Sequence, residues 1–120
     1  MYKLVILIEP QVDSAEFDRK WPTLLTEFER MPGLRREVTS RVDRVLAGNF
    51  PSHMIHELFF DSLKSATEAM ASLQGQSAGQ LLQELTGGKV TLLLADHLQD
   101  DLARFQRQSE TQEAPPTDRA

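Results

Sequence analysis

The amino-acid sequence predicts an α+β domain with β-α-β-β-α-β element order, and three observations carry that reading. Residues 2–8 and 90–95 are short runs that are apolar on both faces, as in strands buried from two sides. Apolar residues at spacings of three and four mark helices beginning near Asp13 and Asp61. Between those helices, residues 34–46 alternate with a period of two, the mark of a more polar strand.

Each element follows from its residues. In the opening run Leu4, Ile6 and Ile8 point one way and Val5 and Leu7 the other, until Pro10 ends the strand. Asp13 and Glu16 form a reciprocal capping pair for a helix whose stripe is Phe17, Trp21, Leu24, Phe28 and Met31. Pro22 removes the bond to the Asp18 carbonyl at a cost of ~3 kcal/mol, so a kink or two short helical pieces are expected. Pro32-Gly33 then turns the chain.

On the second strand Val38, Ser40 and Val42 share one face, and Thr39, Arg41 and Asp43 the other. A loop at Gly48-Asn49-Phe50-Pro51 leads to a third strand, residues 54–60, and the short link implies a hairpin. Asp61 or Ser62 caps the next helix, with Leu63, Ala66, Met70 and Leu73 as its stripe and Gly75 as its stop. Ser77 and Gln80 open a further short helix that buries Leu81, Leu82 and Leu85 and ends at Gly87-Gly88. After the fourth strand, Asp96 caps an added C-terminal helix with Leu98, Leu102 and Phe105 on one face. This order is the ferredoxin-like split arrangement, an antiparallel sheet with its helices on one face.

Composition bounds the function. One hundred and twenty residues make a single domain, read as residues 1–108 followed by a flexible tail over 109–120. A net charge of −5 argues against partnership with nucleic acid or an anionic membrane surface. Without cysteine there are no disulfides, thiolate nucleophiles or thiolate-ligated metals. No run approaches the ~20 apolar residues that span a bilayer, and no leader pattern opens the chain, so a cytoplasmic location is expected.

Helices can cover only one face of a four-stranded sheet, which leaves Val5, Leu7 and Leu93 bare on the other. Two such faces packed together give a twofold homodimer; the alternative cover is the C-terminal helix folding back. Here the residues carry a family resemblance. The pieces are Tyr2-Lys3-Leu4-Val5, Phe17-Asp18-Arg19-Lys20-Trp21, Pro32-Gly33-Leu34-Arg35, the junction Glu57-Leu58-Phe59-Phe60-Asp61-Ser62-Leu63, and Lys89-Val90-Thr91-Leu92-Leu93. Their order and spacing over residues 2–95 resemble the EthD family, within the dimeric α+β barrel superfamily. The resemblance implies a homodimeric barrel with a cleft for a small hydrophobic, often aromatic, molecule. Relatives in that superfamily include cofactor-free monooxygenases, lactone isomerases and haem-handling proteins. Many EthD-like helices carry a histidine four residues after the tryptophan matched by Trp21; this chain has Leu25 there.

Several motifs can be weighed directly. Gly75-Gln76-Ser77-Ala78-Gly79 matches G-x-S-x-G, but a helix precedes it and Ser77 is better explained as a cap. His53 and His56 have H-x-x-H spacing, yet three strand positions apart they face opposite sides, so no metal site is expected. No phosphate loop occurs, and no cofactor is expected.

Arg41 and Glu57, both odd-numbered on neighbouring strands, are expected to share a face, either as a structural ion pair or lining the cleft with Glu57 as general base. The candidate catalytic residues are therefore Glu57 and His56, and the candidate ligand-binding residues Trp21, Arg41 and His53. Two functions follow: a cofactor-independent oxidoreductase (monooxygenase-like) or isomerase, or a non-catalytic binding or accessory protein of a catabolic pathway. The enzyme requires a titratable side chain beside a void of ~300 Å³ or more.

Overall fold

The computed structural model of the chain describes residues 1–99. Strand β1 (Tyr2–Ile8) is followed by α1 (Ser14–Glu29), β2 (Arg36–Arg41), β3 (Met54–Phe60), α2 (Leu63–Ala71), α3 (Leu73–Thr86) and β4 (Val90–Asp96). The strands lie in the order β2-β3-β1-β4, and every neighbouring pair is antiparallel. This is the ferredoxin-like α+β fold that the element order implied.

Strand alternation divides the sheet into two different faces. Leu4, Ile6 and Ile8 of β1 and Met54, His56, Leu58 and Phe60 of β3 are buried beneath the helices. They join Phe17, Leu24, Phe28, Ala66, Ala69, Ala78 and Leu82 in one core. The register sets rows across this face: Thr39–His56–Ile6–Leu92, with Arg41–Met54–Ile8–Val90 and Glu37–Leu58–Leu4–Leu94 on either side. On the opposite face Val5, Leu7, Val38, Ile55 and Leu93 are covered by no element among the described residues. Phe59 belongs to that face too, yet it is buried by its own neighbours: Arg36 lies 4.3 Å over its ring and His97 meets it edge-on at 4.9 Å.

The helix boundaries correct three expectations. First, α1 runs unbroken through Pro22, which points to solvent beside an equally exposed Asp18, so the carbonyl that loses its donor is open to water. Asp13 caps it as expected, its carboxylate accepting from the Glu16 amide at 3.0 Å.

Second, the break between α2 and α3 falls at Ser72, not at Gly75–Ser77. The Ser72 hydroxyl donates to the Ala69 carbonyl at 2.6 Å and accepts from the Gly75 amide at 3.0 Å, closing one helix and capping the next. Gly75 lies inside α3, where a Cβ would sit 2.1 Å from the Ala69 carbonyl oxygen; it permits close approach and stops nothing. Leu63 and Leu73 are consequently exposed, and the buried stripe of α2 is Ala66 and Ala69.

Third, Asp96 ends β4 and the His97 amide donates to the Met1 carbonyl at 2.8 Å, so the strand direction continues where a helix cap was expected. The remainder of the expected C-terminal helix and the 109–120 tail lie outside the described residues. No helix among the described residues is long and apolar enough to cross a membrane.

Candidate functional site

One polar cluster lies within the helix-side core, and His56 is its centre. The imidazole has no solvent exposure. Phe28 stacks on it at 5.2 Å between ring centroids, and Trp21 meets it edge-on at 5.1 Å. Both aromatics come from the α1 stripe, one helical face delivering them at positions seven apart. Both ring nitrogens are engaged by β2: Nδ1 lies 2.8 Å from Thr39 Oγ1 and Nε2 lies 3.1 Å from Glu37 Oε2. Thr39 pairs with His56 across the β2–β3 ladder, which places Glu37 one step along the same face.

The electrostatics follow from burial. Desolvation pulls the His56 imidazole down to about 4, and the Glu57 charge opposes this only weakly. Desolvation also pushes the Glu37 carboxyl up to about 7, assisted by the charge of Glu29 on α1 and a hydrogen bond with it. The His56–Glu37 contact has the length of an ion pair. Both shifts nevertheless favour the uncharged pair, because separated charges are costly in this core. In that state the single Glu37 carboxyl proton is donated to Glu29, Nε2–H donates to Glu37 Oε2 and the Thr39 hydroxyl donates to Nδ1. The arrangement can hold a proton near neutral pH and pass it between a buried ring and the partly exposed Glu37.

A cavity of about 270 Å³ adjoins this cluster. Its floor is Leu4, Ile6 and Leu92 of the sheet, and Phe28, Met31 and Met70 form its walls. Phe28 thus has the cavity on one side and the His56 ring on the other. Among the described residues no titratable side chain lines this space.

The expected site residues are dispersed. His56 and Trp21 belong to the cluster. Arg41 and Glu57 do not share a face: the hairpin register pairs Arg36 with Phe59 and Arg41 with Met54, odd with even, so Arg41 lies on the helix side and is exposed. Glu57 is on the open face, bound to Lys3 at 2.6 Å with both side chains mostly buried. It pairs there with a cation from β1, and not with Arg41.

His53 precedes β3, so strand alternation does not govern it; its ring lies edge-on to Phe17, 6.4 Å away. Both imidazoles therefore face α1, against different aromatics. No group of three metal-ligating side chains converges among the described residues. Leu25 lies between Trp21 and Phe28 in α1, packed against the core, and the imidazole touching that helical stripe comes from β3.

Sequence reasoning missed Glu37, Thr39 and Glu29. A polar stripe at 37, 39 and 41 was visible, but nothing local said that it faces the helices.

Comparisons place this geometry among known proteins. No family model matches the chain. A Rhodococcus erythropolis protein described as an uncharacterized 11.0 kDa protein in the thcB-thcC intergenic region is 31% identical over 98 residues, covering 80% of this chain and 94% of that protein. The crystal structure of an ethyl tert-butyl ether d (EthD) family protein from Bacillus halodurans superposes with a TM-score of 0.75 at 25% identity, over 82% of this chain and 99% of that one. Two more distant structures share the fold alone. SnoaB, a cofactor-independent oxygenase from Streptomyces nogalater, gives a TM-score of 0.62 at 17% identity over 82% and 94% of the two chains. A dimeric ferredoxin-like protein of unknown function from Jannaschia sp. gives 0.61 at 11% identity over 80% and 98%. Matching fold, coverage and identity make the chain similar to the EthD family protein, and its ferredoxin-like α+β fold fits an EthD-like dimeric α+β barrel.

Proposed function

We propose that this protein is a homodimeric EthD-like barrel that binds a small hydrophobic organic molecule beneath the helices of each subunit. The observation that carries the proposal is the apolar cavity sharing Phe28 with the buried His56 ring, which is hydrogen-bonded to the half-buried Glu37. An apolar void separated from buried acid–base groups by the Phe28 ring suits proton transfer to or from an uncharged molecule once that ring moves aside, since excluded water leaves the proton no competing partner. His56 has no free nitrogen facing the cavity, so in this reading it gains or loses a proton only along its own hydrogen bonds. Because Thr39 and Glu37 occupy both ring nitrogens, Glu37 is the group through which the proton arrives and leaves. Trp21 holds the ring from the side, edge-on, and does not line the cavity. The reaction class is cofactor-independent oxidation or isomerisation, in keeping with the oxygenase found among proteins of the same fold.

The open sheet face supports the dimer. Val5, Leu7, Val38, Ile55 and Leu93 form a continuous apolar surface around the Lys3–Glu57 pair, and packing two such faces removes them from water. In this arrangement Glu57 is an interface residue, remote from the His56 cluster.

A second reading has its own support: a non-catalytic binding or accessory protein. Among the described residues the cavity lining carries no titratable group, and Phe28 separates it from the imidazole. The two readings separate on one experiment. Native mass spectrometry of protein purified from its own source identifies the retained molecule, and its conversion is then followed with wild-type protein and with Glu37→Gln. Turnover lost in Glu37→Gln supports the enzyme; binding without turnover in either protein supports the accessory role.

A further inference from the structure

Two glycines of α3 line the cavity, and they differ in what they are for. A Cβ at Gly75 would collide with the Ala69 and Met70 carbonyls, so that glycine serves the close approach of α2 and α3. A Cβ at Gly79 would meet no atom within 4 Å. No packing among the described residues therefore requires glycine at 79, and its mid-helix position weakens α3 relative to alanine. Gly79 is exposed at the rim of the cavity, together with Gln76 of the same helix and the half-exposed Leu92 of β4. What the missing side chain leaves is an open mouth between α3 and the β4 edge.

The mouth also bears on ligand charge. Gln76 is its one polar side chain among the described residues, and its Nε2 already donates to the Ala71 carbonyl at 3.0 Å. With no cationic side chain in the lining among the described residues, an anion entering there would lose its hydration without compensation. A dry apolar cavity of about 150 Å³ holds benzene. This one, at about 270 Å³, has room for a second fused ring.

We propose that Gly79 is the size-determining residue of this site, holding its mouth open for uncharged molecules of up to about two rings. The inference rests on the cavity being a ligand site, as argued above. The test uses the full chain labelled with ¹³C at its methionine methyls. Met31 and Met70 line the cavity, whereas Met1 and Met54 do not, so two signals report binding and two serve as internal controls. Benzene, naphthalene and 1-naphthoate are titrated into wild-type protein, Gly79→Ala and Gly79→Leu.

In the wild type, benzene and naphthalene move Met31 and Met70 while naphthoate leaves them in place. Gly79→Leu weakens naphthalene by about tenfold or more and benzene by less than about threefold, with Gly79→Ala between. The Gly79→Ala series also serves if the leucine variant does not fold. Unchanged naphthalene affinity in both variants overturns the role of Gly79 but leaves the cavity as a ligand site. Naphthoate binding as well as naphthalene overturns the exclusion of charge. Failure of every probe to move Met31 and Met70 in the wild type overturns the ligand-site reading, and this inference with it.

Discussion

The uncharged His56–Glu37 pair makes a prediction about stability that can be worked from the two shifted groups. At pH 5.5 the unfolded chain, with reference values of 6.5 and 4.5, carries a protonated histidine and an ionised glutamate. The folded chain carries a neutral ring and a protonated carboxyl. Each state holds one proton on the pair, so the pair contributes no slope to stability between pH 4.5 and 6.5.

Glu37→Gln removes that balance. His56, whose folded value of about 4 lies below its unfolded value, then contributes stability that is full above pH 6.5 and is lost as pH falls toward 4. At about 1.36 kcal/mol for each pH unit of that window, the loss approaches about 3 kcal/mol. His56→Gln gives the opposite sign. Glu37 alone, raised to about 7, contributes stability that is full below pH 4.5 and is lost as pH rises through 7. Partial solvent screening of that carboxyl limits the effect to about 1–2 kcal/mol.

Urea denaturation of the wild type and both variants at pH 4.5, 5.5, 6.5 and 7.5 reads these slopes after subtraction of the wild-type curve. Slopes of the same sign in the two variants, or a Glu37→Gln curve parallel to the wild type, would refute the burial argument. Nitrogen-15 spectra of the wild-type His56 ring supply the matching microscopic check: at pH 6 the two resonances should be widely separated, with the proton on Nε2. Two nearly coincident resonances, as in an imidazolium, would mean an ion pair.

Other expectations follow from single residues. Ser72→Ala removes the hydroxyl that closes α2 and caps α3, and should cost about 1–2 kcal/mol in a urea titration. Gly79→Ala should raise stability by about 0.5–1 kcal/mol, whereas Gly75→Ala should lower it, because only the second forces a methyl against backbone carbonyls. Leu93→Glu places a charge on the open sheet face; sedimentation should show a species of about 27 kDa, twice the 13.6 kDa chain, giving way to a monomer. A wild-type protein that is already monomeric at micromolar concentration would remove the dimer.

The fold was legible because its strongest signals are local. Strands apolar on both faces at 2–8 and 90–96, a capping Asp13 and the turn at Gly33, which adopts φ 81°, all act within a few residues of themselves. The α2–α3 break was misplaced for a physical reason. Ser72 and Ser77 both look like caps, and what chooses Ser72 is the contact of Gly75 with the α2 carbonyls, a tertiary approach that no local pattern reveals.

The site was less legible than the fold. His56 and Trp21 were singled out because a histidine and a tryptophan in apolar stretches are conspicuous. Glu37 and Thr39 were overlooked because which face of β2 meets the helices depends on the β2–β3 register. That register passes through the connection of residues 42–53, whose parity the sequence pattern does not specify. The same parity separated Arg41 from Glu57. In β2 the half-buried Val38 lies on the open face, while the half-buried Glu37 and the exposed Thr39 and Arg41 lie on the helix side, the reverse of what burial of apolar residues suggests for an isolated subunit. The homodimer proposed above would enclose both faces of the sheet and would account for this inversion.

A crystal structure of the protein grown with naphthalene tests the central claim most directly. The account predicts ligand density beneath the helices, bounded by Phe28, Met31 and Met70, in each of two subunits packed through their open sheet faces. Density lying between the two sheets, with the space beside Phe28 empty, would contradict it.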